Sequence, residues 1–171
     1  NTGVQRATDI IRGLNRFSRQ TSSTDEKCDV HIVIDDCLSV LNIQLINRID
    51  VEKSYKREDV FVLGNEGRLH QAIFNILSNS IQAIDGDGSI KIATNVIDSF
   101  VEIRITDSGC GISTDSLGQV FDPFYTTKEP GKGTGLGLTI VYDIVKEMSG
   151  KIELDSKVGH GTTVSIKLPV I

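Results

Sequence analysis

Two asparagines one helical turn apart, Asn75 and Asn79, are the residues whose type and spacing most clearly invite a chemical reading. Asparagine is a weak helix former, costing about half a kcal/mol per position relative to alanine, and an ordinary solvated helix face would carry Lys and Glu instead. At about 100° per residue, Arg68, Gln71, Asn75, Asn79 and Gln82 fall on one side of a helix, and Leu69, Ile73, Ile76, Leu77, Ser80 and Ile84 form an apolar face opposite. The polar side is largely amide. Amide oxygens are neutral hard ligands, suited to Mg²⁺, which keeps several waters and shares its remaining coordination with phosphates.

Two further clusters extend this chemistry. In Val101-Glu102-Ile103-Arg104-Ile105-Thr106-Asp107 the side chains alternate, so Asp107 is aimed to the same face as Val101, Ile103 and Ile105. An unpaired charge there is costly. Ser108-Gly109-Cys110-Gly111 follows at once and permits a sharp turn and close approach to a ligand. Such an acid is either a turn cap or an acceptor for an exocyclic amine such as adenine N6, which the O6 of guanine would not satisfy. Gly131, Gly133, Gly135 and Gly137 alternate directly before an amphipathic helix, where backbone N–H groups beside a helix N-terminus bind anions. This ladder matches neither GxxxxGK[ST] nor GxGxxG, so P-loop and dinucleotide-binding readings both fail. Between these clusters, Phe121, Phe124 and Tyr125, three of the chain's nine Phe and Tyr residues, read as a hydrophobic latch on a lid, and Lys128 is within reach of a phosphate.

The elements that must position these groups follow an α/β pattern. A short strand is expected at residues 29–31, a helix at 34–47, extended segments at 49–55 and 60–63, and a second helix at 65–84. Alternating strands follow at 90–96 and 101–105. Residues 108–134, glycine-rich and holding two of the three prolines, lack periodicity and read as functional. A third helix is expected at 135–148, stopped by Gly150, and a closing hairpin sets Ile152 and Leu154 against Val164, Ile166 and Leu168. Strand–helix alternation with hairpins implies one mixed sheet with its helices on one face. Ahead of this, Val4, Ala7, Ile11 and Leu14, flanked by Ile10 and Phe17, have the spacing of a helix that packs on other helices, and residues 18–27 read as a polar connector.

With 171 residues and 39% hydrophobic content, the chain has room for one domain and a short appendage. A net charge of −5, with 18 Lys and Arg spread throughout, leaves no basic stripe for nucleic acid. Cys28, Cys37 and Cys110 form no CxxC or zinc pattern, and their odd number argues for a reducing cytoplasm rather than a disulfide framework. No apolar run reaches the ~20 residues of a bilayer span. The start Asn1-Thr2-Gly3 has no initiator Met, so the expectation is a piece of a larger protein, with any membrane anchor in the part outside this sequence.

Taken in order, these segments resemble the boxes of sensor histidine kinases, in the GHKL superfamily shared with gyrase, a heat-shock chaperone and mismatch-repair ATPases. Asn75-Ile76-Leu77-Ser78-Asn79 is similar to the N box, Asp107-Ser108-Gly109-Cys110-Gly111 to the G1 box, Phe121-Asp122-Pro123-Phe124 to the F box, and Gly133-Thr134-Gly135-Leu136-Gly137 to the G2 box. The resemblance runs from about Cys28 to the end. It implies an α/β two-layer sandwich of Bergerat type with a long ATP lid, dividing the chain into residues 1–20 (end of a dimerisation and phosphoacceptor helix), 21–27 (linker) and 28–171 (ATP-binding catalytic domain). It implies ATP and Mg²⁺ as cofactors, with Asn79 the metal ligand, Asn75 assisting, and Asp107 the adenine-binding acid. Gly109 and Gly111 would border the base, and Gly133, Gly135 and Gly137 would close over the phosphates. Gln82, Ile112, Phe124, Thr127, Lys128, Thr134, Leu136 and Leu138 complete the implied nucleotide site, with Asn75, Asn79 and Lys128 nearest the chemistry.

The implied activity is transfer of the ATP γ-phosphoryl to a histidine outside this fragment. The implied partners are the phosphoacceptor and dimerisation domain of the same protein, a response regulator receiver domain, and a second copy in a full-length homodimer. His31, His70 and His160 lie in no phosphoacceptor motif and read as structural or surface residues. Gln82 stands where many members carry Lys, and Ser80 replaces the usual Ala, a small change. Asn75 also stands where superfamily ATPases carry the Glu that orients a hydrolytic water. That counts against a competing reading as a GHKL-type ATPase, and the retained polar residues count against a degenerate nucleotide-binding interaction module.

Overall fold

The computed structural model describes residues 26–56, 59–127 and 134–171. The helix expected near the N-terminus, most of the connector, Lys128 and Gly133 lie outside the described residues.

The first strand, β1 (Glu26–Asp29), precedes the expected position, and the helix α1 (Val30–Leu45) begins where residues 29–31 read as extended. Asp29 explains the difference. Its carboxylate accepts from the amides of His31 at 2.9 Å and Ile32 at 3.1 Å, capping orphan donors of the first turn. His31 is therefore helical and buried; its Nε2 lies 2.8 Å from Thr94 Oγ1 and its ring stacks on Tyr55 at 4.1 Å.

Next come β2 (Ile49–Tyr55) and β3 (Phe61–Gly64), then the long helix α2 (Glu66–Ala83). Asn65 caps α2 by accepting from the Arg68 amide at 3.0 Å. At its other end no basic residue lies in the last turn; instead Arg48 donates to the carbonyls of Ile81 (3.3 Å), Ile84 and Gly86 (2.8 Å). A guanidinium at a helix C-terminus satisfies orphan carbonyls and opposes the dipole. The strands β4 (Gly88–Ile97) and β5 (Phe100–Asp107) follow, then a one-turn helix α3 (Thr114–Leu117), the helix α4 (Gly137–Glu147), and the hairpin β6 (Lys151–Lys157) and β7 (Gly161–Pro169).

Five strands form a mixed sheet in the order β2-β4-β5-β7-β6, parallel only between β2 and β4. β1 and β3 pair separately, as a two-stranded antiparallel sheet outside the expected single one. α2 packs between α1 and α4 and against β5. Inward residues Ile90, Ile92, Val101, Ile103, Ile105, Val164, Ile166 and Leu168 join Leu69, Ile73, Ile76 and Leu77 of α2 in one core. The outer sheet face carries pairs such as Lys91–Glu52 and Lys167–Glu102, as a solvated face should. This is the α/β two-layer arrangement expected from the alternation of elements.

Candidate active site

The amide face of α2 and the start of α4 meet across a cleft. Asn75, half-buried, donates Nδ2 to the carbonyl of Gly137 at 3.3 Å. A side chain added at Gly137 would stand 3.7 Å from Asn79 Nδ2, so both asparagines face the first turn of α4. The residue before that turn, Leu136, has no side-chain cap to offer. The positive end of the α4 dipole, with its orphan N–H groups, is thereby left toward the cleft.

The cavity measures about 370 Å³. α2 contributes Asn75, Ser78, Asn79 and Gln82; the segment after β5 contributes Ile112, Ser116, Val120, Tyr125, Thr126 and Thr127; the approach to α4 contributes Thr134, Gly135, Gly137 and Leu138. Among the described residues the lining is neutral throughout. No group of three or more His, Cys, Asp or Glu suited to a metal occurs among them either. A divalent cation here would be held by amide oxygens shared with an anionic ligand, which suits Mg²⁺.

Two lid ends are tied at the mouth of this cavity. The Phe124 amide donates to the Gly135 carbonyl at 2.9 Å, and Thr139 Oγ1 donates to the Phe121 carbonyl at 3.0 Å. Gly135 has φ +65°, and a Cβ there would sit 2.3 Å from the Phe124 carbonyl carbon. Only glycine fits both constraints. Phe121 packs against Tyr142 at 5.4 Å, whereas Phe124 is 75% exposed.

Asp107 lies at the end of β5, buried as its strand position requires, just outside the cavity lining. Its Oδ1 accepts from the amides of Gly109 at 2.8 Å and Thr162 at 3.2 Å. Burial raises its pKa above the ordinary value; these two amides, and to a lesser degree the Ser80 hydroxyl of α2, pull it back down. The backbone crowds close. Gly161 has φ +86°, and a Cβ there would lie 1.9 Å from the Asp107 carbonyl oxygen.

Of the site residues expected from sequence, Asn75, Asn79, Gln82, Ile112, Thr127, Thr134, Gly135, Gly137 and Leu138 share the one cavity. Asp107, Gly109, Gly111, Phe124 and Leu136 do not line it. Sequence reasoning did not place Ser78, Ser116, Val120 or Thr126 in the site and read Tyr125 only as part of the latch; all five line the cavity. Ser78 carried a usable signal, one turn before Gln82, whose Nε2 donates to it at 3.2 Å. The others sit in a stretch without periodicity.

The family described as histidine kinase-, DNA gyrase B-, and HSP90-like ATPase matches residues 64–171. Sensor kinase CckA of Brucella abortus (strain 2308) is 36% identical, over 97% of this chain and 19% of that protein. Sensor histidine kinase ZraS of Escherichia coli (strain K12) is 32% identical, over 94% of this chain and 34% of that protein. The chain thus spans a fifth to a third of these relatives. Among solved structures, the mycobacterial sensor histidine kinase MprB superposes with a TM-score of 0.76 at 29% identity, covering 85% of this chain and 97% of that one. A nucleotide-free catalytic domain of histidine kinase ThkA gives 0.78 at 27% identity, covering 86% and 96%.

Proposed function

The chain belongs to the histidine kinase-, DNA gyrase B- and HSP90-like ATPase family, as a catalytic domain of the sensor-kinase kind, and from that premise we propose that it positions ATP for transfer of the γ-phosphoryl to a histidine carried by another domain. The observation that carries the reading is the shared cavity: the amides of α2 and the N-terminus of α4 face one space, held together by the Asn75–Gly137 hydrogen bond.

In this reading Asp107 accepts the exocyclic amine of adenine, and the uncapped first turn of α4 directs its N–H groups to the phosphates. Asn79 would hold Mg²⁺ through its amide oxygen, with the Asn75 oxygen assisting while its Nδ2 stays bonded to Gly137, and the ion would supply charge neutralisation at the phosphates. The chain's own residues align the γ-phosphoryl and exclude water, which suffices for a reaction needing little covalent help. In the transfer the histidine nitrogen bonds to phosphorus, the bond to the ADP oxygen breaks, and the leaving oxygen keeps the electron pair. Asn75 cannot act as a carboxylate base, so water is a poor acceptor.

Residues 1–20 are assigned to the end of the dimerisation and phosphoacceptor helix and 21–27 to a linker, in keeping with relatives that align over nearly the whole chain. The partners are that domain, a second copy of the parent protein and a receiver domain. Among the described residues no helix is long and apolar enough to cross a membrane, and ATP supply places this domain's work in the cytoplasm. The test is incubation with γ-labelled ATP and a phosphoacceptor domain: acid-labile, base-stable label on that domain supports the reading, and rapid release of free phosphate without an acceptor refutes it.

A further inference from the structure

Three neighbouring strands change character at one level of the sheet. The inward faces of β5, β7 and β6 are apolar at Ile105, Val164 and Leu154, which pair across the sheet. Two residues on, each face turns polar, and the register sets Asp107, Thr162 and Ser156 side by side in a single row. Residues opposite one another in a ladder point to the same face. The row is bonded throughout. Ser156 Oγ donates its only proton to the Gly161 carbonyl at 2.9 Å, and so accepts from the Thr162 hydroxyl at 2.8 Å and from the Ile112 amide at 2.8 Å. The Thr162 amide in turn donates to Asp107 at 3.2 Å. One hydroxyl therefore joins Ile112, in the cavity wall, to the residue that holds Asp107, which lies just outside that wall. The same loop and hairpin meet again where the Gly159 amide donates to the Cys110 carbonyl at 2.7 Å. Between these ties, Gly111 at φ +73° passes so close that a Cβ would stand 2.1 Å from the Lys157 carbonyl oxygen.

We infer that Ser156 is a positioning residue for base recognition: its hydroxyl fixes the β6–β7 hairpin to the loop after β5, and so sets the spacing between the Asp107 carboxylate and the Ile112 wall of the cavity. The inference rests on the reading of Asp107 as the base acceptor. A planar base that is hydrogen-bonded at its edge and packed on its face needs both surfaces at a fixed separation, because a hydrogen bond weakens steeply with misalignment and an apolar contact does not. Loss of the Ser156 hydroxyl leaves the Ile112 amide, the Gly161 carbonyl and the Thr162 hydroxyl in need of other partners, and the loop shifts to find them. None of these bonds goes to α2 or α4, so the end of the site that faces the phosphates is independent of Ser156. A hydroxyl that merely held the hairpin together would weaken every nucleotide alike when removed. One that sets the base spacing weakens the amino-purine selectively.

The experiment compares wild type, Ser156→Ala and Ser156→Thr, measuring Mg²⁺-dependent affinity for ATP and for inosine triphosphate, whose base carries an oxygen in place of the amine. Amide exchange at Ile112 and Thr162 is followed without nucleotide. Ser156→Ala is expected to weaken ATP about three- to tenfold and inosine triphosphate by less than about twofold, and to accelerate exchange at both amides. Ser156→Thr, which keeps the hydroxyl and suits a strand, is expected to hold the wild-type ratio of the two affinities. An unchanged ratio in Ser156→Ala, or an equal loss of both nucleotides, overturns the inference and leaves the Asp107 reading standing. Should Ser156→Ala fail to fold, Thr162→Val carries the test: it keeps the backbone amide on Asp107 and removes only the hydroxyl that donates to Ser156. Its ratio is expected to fall about twofold, and an unchanged ratio there overturns the inference as well. A wild type that does not distinguish the two nucleotides refutes the Asp107 reading itself, and the inference with it.

Discussion

Asn75 of α2 and Gly137 of α4 are joined side chain to backbone at 3.3 Å, which ties the amide face of one helix to the first turn of the other. That junction brings the neutral amides of α2 and an uncapped helix N-terminus to one cavity.

Asn79 is half-buried and outside the apolar core, so its loss should affect ligand more than fold. Asn79→Ala is expected to weaken Mg²⁺-dependent ATP binding roughly ten- to a hundredfold, the range for hydrogen bonds and ligation involving charged groups, and to leave the melting temperature within a degree or two of wild type. Titration calorimetry with and without chelator checks the first effect and a thermal scan the second.

Gly135→Ala should behave differently. A left-handed alanine costs about 1–2 kcal/mol, and its Cβ would also strike the Phe124 backbone. The tie between residues 124 and 135 should open, with amide exchange at Phe124 accelerating and nucleotide affinity falling although no ligand contact is removed. Hydrogen exchange at that amide reports it.

Arg48 should matter to stability without touching the cavity. Arg48→Ala removes the guanidinium donor from the carbonyls of Ile84 and Gly86, leaves Ile81 with only the Ile84 amide, and is expected to destabilise the domain by about 1–3 kcal/mol in denaturant titration. Since the Ala83 carbonyl also accepts from the Cys110 amide, fraying of α2 should loosen the loop after β5 as well.

Asp107 links pH to stability. Its folded pKa lies above the model-compound value of 3.8, chiefly through burial, so the native state holds its proton more tightly than the unfolded chain. The stability this contributes is complete below 3.8 and is lost as pH rises through the folded pKa. Asp107→Asn, which keeps an acceptor oxygen for Gly109 and Thr162, should therefore melt as high as wild type or higher near neutral pH, with the difference vanishing in acid. It should also lose preference for adenine. A site residue whose removal stabilises the apo fold is the expected trade of stability for function.

Thiol chemistry offers an independent check on the core. Burial pushes the Cys28 thiol up to about 11 and Cys37 up to about 12, while Cys110 is exposed. A thiol reagent at moderately alkaline pH should modify Cys110 alone in the native protein and all three after unfolding.

Much of this was legible in the sequence where a period could be read. The 3.6-residue repeat from Leu69 to Ile84 located α2, and strict alternation from Val101 to Asp107 located β5 and aimed its carboxylate inward. Where local chemistry overrode pattern, the reading failed. Val30 and His31 read as extended, whereas Asp29 caps a helix there, and the α4 stop assigned to Gly150 is shared with Ser149, which takes φ +57° while the Gly150 amide donates to the Val145 carbonyl at 2.8 Å. Gly150 is needed for another reason, since a Cβ there would lie 2.5 Å from the Lys167 carbonyl oxygen. The cavity wall from Ser116 to Thr126 has no period at all, so only the fold reveals it.

The central claim is that Asn75 and Asn79, Asp107, and the residues leading into α4 serve a single nucleotide. The most direct measurement is an NMR titration with a non-hydrolysable ATP analogue and Mg²⁺, following the side-chain amides of Asn75 and Asn79 and the backbone amides of Gly109, Thr162, Gly135 and Gly137. All should shift together along curves giving one dissociation constant, and all should revert on chelation of the metal. Shifts confined to one of these groups, or separate constants for the Asp107 and α4 sets, would contradict the account.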